Sequence, residues 1–234
     1  MNVSKSHFFR FSHPIKRLLI GVAALLLFAV FCLLSACSKP LDYFSYVSEL
    51  RHDIFLAETD TLSLRIYGVK KESPYLSDGI PDEVSSRTEI YLAAPSGNQT
   101  YSVSFSIDGE PHGGEMSYDN VKGEYYYFCS LDISGQTEIA CVLTCADEQQ
   151  ELTAKSVKDE NTMTAQSALQ TLITAEQELF DSLTDKYGFA GEIYVRLLYE
   201  ENAYYYIGVI DRNGNTTAYL LNASSGKLLA KRES

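Results

Sequence analysis

The chain has 234 residues, 45% of them hydrophobic, with 17 Tyr, 11 Phe and no Trp. Its 31 Asp and Glu outnumber 19 Lys and Arg, for a formal charge of −12. Such a surface repels nucleic acid and argues against a DNA- or RNA-binding role, while the apolar content is ample for a folded core.

The amino terminus reads first. Lys5, Arg10, Lys16 and Arg17 precede an uncharged apolar run, Leu18 to Leu34, that ends on Ser35, Ala36 and Cys37. A basic head, a greasy middle and a small-residue exit make a secretory leader. The run Leu34-Ser35-Ala36-Cys37 resembles the lipobox of bacterial lipoproteins. That resemblance implies that the Cys37 thiol takes a diacylglyceryl group and that residues 1–36 leave as a signal peptide. The protein is then anchored to the cell membrane by lipid, facing outside the cytoplasm. Two acyl chains, at about 0.8 kcal/mol per buried methylene, anchor stably. The alternative is an uncleaved transmembrane helix, for which 17 residues sit at the short edge of the roughly 17–25 required. Both readings put the rest of the chain outside the cytoplasm, because the basic residues precede the apolar run.

Residues 37–42 form a short tether: Ser38, Lys39 and Pro40 follow the cysteine, and strand-like sequence begins near Tyr43. The folded part is expected close to the membrane. Loss of the leader removes four basic residues and no acidic one, leaving 15 against 31 and a formal charge of −16. Cys129, Cys141 and Cys145 remain besides Cys37, an odd number for an oxidising location. On one strand Cys141 and Cys145 stand about 13 Å apart, too far for a disulfide. A three-residue loop at Ser134-Gly135-Gln136 sets Cys129 opposite Cys141 and allows a bridge; a two-residue loop sets it opposite Ala140. The other reading is three buried thiols acting as small apolar residues.

Residues 43–146 read as strands. Leu62, Leu64 and Ile66 alternate with Ser63, Arg65 and Tyr67; Tyr101, Val103, Phe105 and Ile107 share another face. A loop at 70–86 and a turn at Pro95-Ser96-Gly97-Asn98 punctuate them, and Glu124–Leu131 with Glu138–Cys145 suggest a hairpin. Seven or so short strands predict an immunoglobulin-like β-sandwich, although the Cys…Trp…Cys pattern of antibody domains is missing. The polar stretch 147–161 is expected to be a linker. A single helix, Thr164 to Lys186, follows, with Ala165, Leu169, Leu172, Ile173, Leu179, Phe180 and Leu183 on its apolar face. Thr162 or Thr164 caps its start and Gly188 ends it. Three or four strands complete an antiparallel meander: 192–199, 203–210, 216–221 and 227–231. The fold class expected is thus mainly β with α+β, a sandwich followed by a helix plus meander in residues 162–234.

Tyr204 to Asp211, the Asn213-Gly214 turn, Thr217 to Asn222 and Ser225-Gly226-Lys227-Leu228-Leu229 resemble the end of a PepSY domain. That family closes on an Asp-Ala-x-Thr-Gly-x-Val-like segment; here Asn222 replaces the Asp and Ser225 the Thr. The resemblance covers about a third of the mature chain. It implies an extracytoplasmic protein with a protease-inhibitory or peptide-binding role.

Chemistry-bearing motifs are sparse. His52 and His112 are the histidines outside the leader, and neither has a metal-ligand spacing. There is no Gly-x-Ser-x-Gly elbow and no phosphate-cradling loop. Asp78, Asp82 and Glu83 read as a solvated acidic loop rather than a calcium site. No catalytic residue, metal or cofactor is assigned. The triplets Tyr125-Tyr126-Tyr127 and Tyr204-Tyr205-Tyr206 place aromatics on both faces of their strands, so one face is core and the other is either an exposed platform or sheet surface covered by a neighbouring domain. Tyr125, Tyr127, Tyr204 and Tyr206 are the candidate binding surface, for a peptide, protein or glycan. The functional expectation is a non-catalytic binding or interaction module. The alternatives are an extracytoplasmic hydrolase with its site between the two modules, and a regulator of a secreted protease.

Overall fold

The computed structural model describes residues 41–72, 83–95 and 99–233. The lipobox with Cys37, the apolar run before it, and Asp78 and Asp82 lie outside the described residues. Within them no helix is long and apolar enough to cross a membrane.

The fold is mainly β and mostly antiparallel. Among the described residues fifteen strands occur in chain order: β1 Val47–Glu58, β2 Ser63–Glu72, β3 Val84–Ala93, β4 Tyr101–Ile107, β5 Glu110–Glu115, β6 Ser117–Asp119, β7 Glu124–Cys129, β8 Glu138–Cys145, β9 Glu148–Ser156, β10 Thr184–Asp185, β11 Gly188–Phe189, β12 Glu192–Tyr199, β13 Ala203–Ile210, β14 Thr216–Asn222 and β15 Leu228–Glu233. Two short helices, α1 Ala165–Ala175 and α2 Gln177–Ser182, lie between β9 and β10.

Strand β1 organises everything. Its first half pairs with parallel β12 on one edge and antiparallel β2 on the other. Past Arg51, β12 leaves it, and β9 takes that edge at Phe55 and Leu56. One run of strands therefore reads β15-β14-β13-β12-β1-β2-β3-β7-β6, and a branch β9-β8-β4-β5 springs from the far half of β1. The branch returns to the main run because β5 lies on β4 while β6, one residue later, lies on β7. The result is a near-barrel.

Inward positions of its strands fill the near-barrel at the period of two that strands impose. Phe55, Leu64, Ile66, Ile90, Leu92, Val103, Phe105, Tyr125, Ile139, Cys141, Leu143 and Ala154 form one apolar cluster. Beyond it, Ile193, Val195, Leu197, Tyr205, Ile207, Val209, Tyr219 and Leu221 of the meander are buried, as are Ala168, Leu169, Leu172 and Phe180 of the helices. Thr164 caps α1, its hydroxyl accepting from the Ser167 N–H at 3.1 Å.

Four expectations are corrected. The helix does not run from 164 to 186: it breaks at Glu176, whose backbone leaves helical values (φ −121°, ψ 36°). The Glu176 carboxylate is held by the Tyr219 hydroxyl at 3.1 Å and Lys231 at 2.9 Å. The altered axis lets α2 bury Phe180, and residues 184–189 turn into the β10–β11 hairpin. Residues 148–156, expected in a linker, form β9. Its outer residues are polar, and its inner ones, Leu152 and Ala154, are buried. Asp42–Ser234 accordingly forms one unit, with β1 common to the near-barrel and the meander. Finally, β7 and β8 do not pair. Cys129 lies opposite Thr88, and Cys141 lies between Phe105 and Leu152. Cys129, Cys141 and Cys145 are free thiols, so the Cys129–Cys141 bridge is not formed.

Candidate functional site

The nine-strand run has two faces. One is covered by α1 and α2 at the meander end and forms the barrel wall at the other. The second face carries half-exposed aromatic and charged side chains from strand after strand. Arg51 on β1 lies over the Tyr67 ring of β2 at 4.9 Å. Tyr67 meets Tyr91 of β3 edge-on at 5.8 Å, and Tyr91 meets Phe128 of β7 at 5.9 Å. Phe128, 43% exposed, stacks on Tyr126 at 5.0 Å. Arg87 covers Phe128 at 5.3 Å and Lys122 covers Tyr91 at 5.5 Å. Arg65 pairs with Glu124 and Arg87 with Glu89. Burial, and then the neighbouring Glu89 carboxylate that accepts a hydrogen bond from it, pushes the Tyr91 hydroxyl well above its usual pKa.

The same face continues onto the meander. Arg196 lies over Tyr194 at 5.2 Å and Tyr206 at 6.0 Å, and its Nε donates to Glu49 at 2.6 Å. Burial works to raise the Glu49 carboxyl, but Arg196 outweighs it and holds the group below its usual range.

Where β12 leaves β1, the face deepens into a groove of about 700 Å³. Its floor is Ile54, Leu56, Arg51, Arg65 and Tyr67 of β1 and β2; Leu197 to Glu200 wall it on the β12 side. The Arg51 Nε is itself buried and has no hydrogen-bond partner among the described residues. An orphaned donor of this kind costs about 1–3 kcal/mol until something accepts from it.

A second polar cluster sits at the junction of the near-barrel and the meander. His52 is the extra residue of a β-bulge: Arg51 pairs with Val69 and Asp53 with Gly68, leaving His52 unmatched. His52 Nε2 stands 3.1 Å from Asp53, and Lys158 pairs with the other Asp53 oxygen. Lys70 and Asp132 pair nearby at 3.0 Å. Burial lowers the His52 pKa, with Lys158 and Lys70 adding to the shift and Asp53 and Asp132 opposing it. Among the described residues the His52 Nδ1 has no hydrogen-bond partner, so it activates no nucleophile there. The thiols offer none either, since burial pushes Cys129 up and Cys141 up to about 12. Among the described residues no group of three or more His, Cys, Asp or Glu is placed to hold a metal ion.

The four tyrosines expected as a binding surface separate. Tyr125 is 2% exposed, packed inside the barrel against Tyr101 and Tyr118. Tyr127 also points inward; its hydroxyl donates to the Gly113 carbonyl at 3.0 Å. Their neighbours Tyr126 and Phe128 occupy the open face instead. Tyr206 stands on the open face beside Arg196, and Tyr204 shares its side of β13, with buried Tyr205 between them. Arg51 and Tyr91 were not singled out from the sequence, and His52 was weighed there only for metal-ligand spacing. The alternation at Ser63, Arg65 and Tyr67 was the sequence's only signal, and it marked the outer side of β2.

A scan against protein-family models finds no match, and searches of the curated proteins and of the solved structures find none either.

Proposed function

We propose that the protein is an extracytoplasmic lipoprotein, anchored through Cys37, whose open sheet face binds an extended peptide segment of a partner protein. The groove itself carries this reading, because its lining brings Arg51 and Arg65 together with the half-buried Leu56 and Leu198. A peptide carboxylate or carbonyl accepts from the arginines, while Leu56 and Leu198 receive apolar side chains. A glycan platform needs bare ring faces. Here Arg51, Arg87 and Lys122 lie over Tyr67, Phe128 and Tyr91, so the face presents cationic donors on an aromatic bed. The hydrolase alternative has less behind it, because His52 meets no nucleophile.

The finer fold reading belongs to the same proposal. Two facing subsheets over one core support the immunoglobulin-like sandwich, while the β5–β6 link that joins them counts against open edges. The PepSY-like reading is supported by Asn222, whose side chain accepts from Ser224 N, Ser225 N and the Ser225 hydroxyl at 2.8–3.1 Å. It ties the turn before Gly226 as the family's Asp and Thr would. On that reading the partner is a secreted protease.

The test is a peptide array probed with the detergent-solubilised full chain and with Arg51→Met. Peptides retained by the wild type and lost by the variant support the groove. Equal retention overturns it.

A further inference from the structure

The first folded residues stand at the root of an unusually exposed hairpin. Asp42 opens the folded unit by accepting from the Phe44 N–H at 3.1 Å, starting a 3-10 turn over Tyr43–Tyr46. The Tyr43 ring meets Phe180 at 5.2 Å and Phe189 at 5.4 Å, both edge-on. Its hydroxyl lies 3.1 Å from the Thr184 hydroxyl. Tyr46 packs on Phe189 at 5.6 Å. A side chain on Gly188 would meet the Tyr46 hydroxyl at 2.5 Å, so the hairpin lies directly against this turn.

Strands β10 and β11 are joined by two residues, Lys186 and Tyr187. Tyr187 is 84% exposed, and the Lys186 ammonium sits 4.7 Å over its ring. The turn is pinned rather than loose. The Tyr187 N–H donates to Asp185 at 2.8 Å, and the other Asp185 oxygen holds Arg212 of the β13–β14 turn at 2.7 Å.

Only five peptide units separate Cys37 from Asp42. At no more than about 3.6 Å each, the chain lets the lipid-bearing residue lie no more than about 18 Å from Asp42, Cα to Cα. The hairpin therefore stands beside the point where the tether meets the folded unit. Tyr, with an apolar body and a polar tip, is suited to the interface between lipid and water, and Lys186 and Arg212 are suited to headgroup phosphates. Exposed Glu178 and Asp181 on α2, which leads into the hairpin, and Asp185, already paired with Arg212, outnumber those two cations. The contact is accordingly driven by Tyr187 rather than by net charge.

We infer that the Thr184–Phe189 hairpin seats Tyr187 in the phospholipid headgroup layer, giving the tethered protein a second membrane contact that fixes its orientation. This rests on the lipid anchor at Cys37 proposed above.

The chain has no Trp, so Tyr187→Trp makes a single-emitter protein. The full-length variant is reconstituted in phosphatidylethanolamine–phosphatidylglycerol vesicles with and without brominated acyl chains. Val121→Trp serves as the comparison, at a 96% exposed position in the β6–β7 turn. The inference expects blue-shifted Y187W emission, quenched by bromolipid and shielded from aqueous iodide, with V121W unshifted and open to iodide. The mass of the N-terminal fragment is read on the same samples. A diacylglyceryl-modified Cys37 with Y187W emission unaffected by bromolipid overturns the hairpin contact and leaves the anchor standing. An unmodified Cys37 overturns the anchor, and the second contact with it.

Discussion

Asp53 and Lys158, 105 positions apart, form an ion pair that ties the middle of β1 to the chain leaving β9 for α1. Asp53 is 2% exposed, so its carboxylate depends on this pair and on His52 for compensation. Lys158→Met is expected to destabilise the fold by about 3 kcal/mol, the low end for a broken buried pair because the lysine stays about one-third exposed. Urea denaturation measures it. A variant as stable as the wild type contradicts the role given to this pair.

The same cluster predicts a pH dependence. The His52 pKa lies below 6.5 in the folded protein, so the unfolded chain binds the proton first as pH falls. Stability is then intact above about pH 6.5 and declines as pH drops from there toward the folded pKa. His52→Gln removes this slope. Thermal midpoints of wild type and variant between neutral and mildly acidic pH check it, and parallel curves refute it.

Barrel closure hangs on Gly113 and Tyr127. Gly113 has φ +145°, and a Cβ there would lie 2.2 Å from the Val103 carbonyl oxygen. Gly113→Ala is expected to cost more than about 3 kcal/mol, above the usual range for overpacking, because backbone must move. Tyr127→Phe loses only the hydrogen bond to Gly113, about 1 kcal/mol, and leaves ligand binding unchanged. Calorimetry of both variants decides whether they rank in this order.

The thiols give a chemical check. Burial raises both Cys129 and Cys141, the latter to about 12, so both resist a water-soluble disulfide reagent in the native protein and react on denaturation. Peptide mapping without reductant should return Cys129 and Cys141 as separate peptides. A linked pair contradicts the register of β7 and β8.

Local pattern was legible and partner choice was not. The alternation at 63–67 and 101–107 and the runs 192–199 and 203–210 coincide with β2, β4, β12 and β13 within a few residues. Strand β5, Glu-Pro-His-Gly-Gly-Glu, has no apolar period to read, and β9 shows only Leu152 and Ala154 inward. The helix break at Glu176 is set by Tyr219 and Lys231, more than 40 positions away, which no helical pattern encodes. Pairing of β7 with β3 instead of β8 is likewise a long-range choice. It turned Tyr126 and Phe128 outward, the parity opposite to Tyr125 and Tyr127. His52 and Asp53 come together through a bulge, where neighbours that would face apart in a regular strand meet on one side.

Arg51 sets stability against function. Arg51→Met removes the guanidinium over Tyr67, worth about 0.5–1 kcal/mol, together with an orphaned donor that costs about 1–3 kcal/mol, so the variant should unfold no earlier than the wild type while losing peptide. A thermal midpoint that falls by several degrees shows instead that the guanidinium serves the fold.

The most direct test places a photo-reactive residue at Tyr199, on the groove wall, and in a second protein at Glu151, on the outer side of β9. Both are expressed full-length in cells and irradiated, and the adducts are identified by mass spectrometry. The groove reading predicts one protein partner cross-linked from position 199, lost when Arg51→Met is added, and none from position 151. Equal adducts from both positions, or none from 199, contradict it.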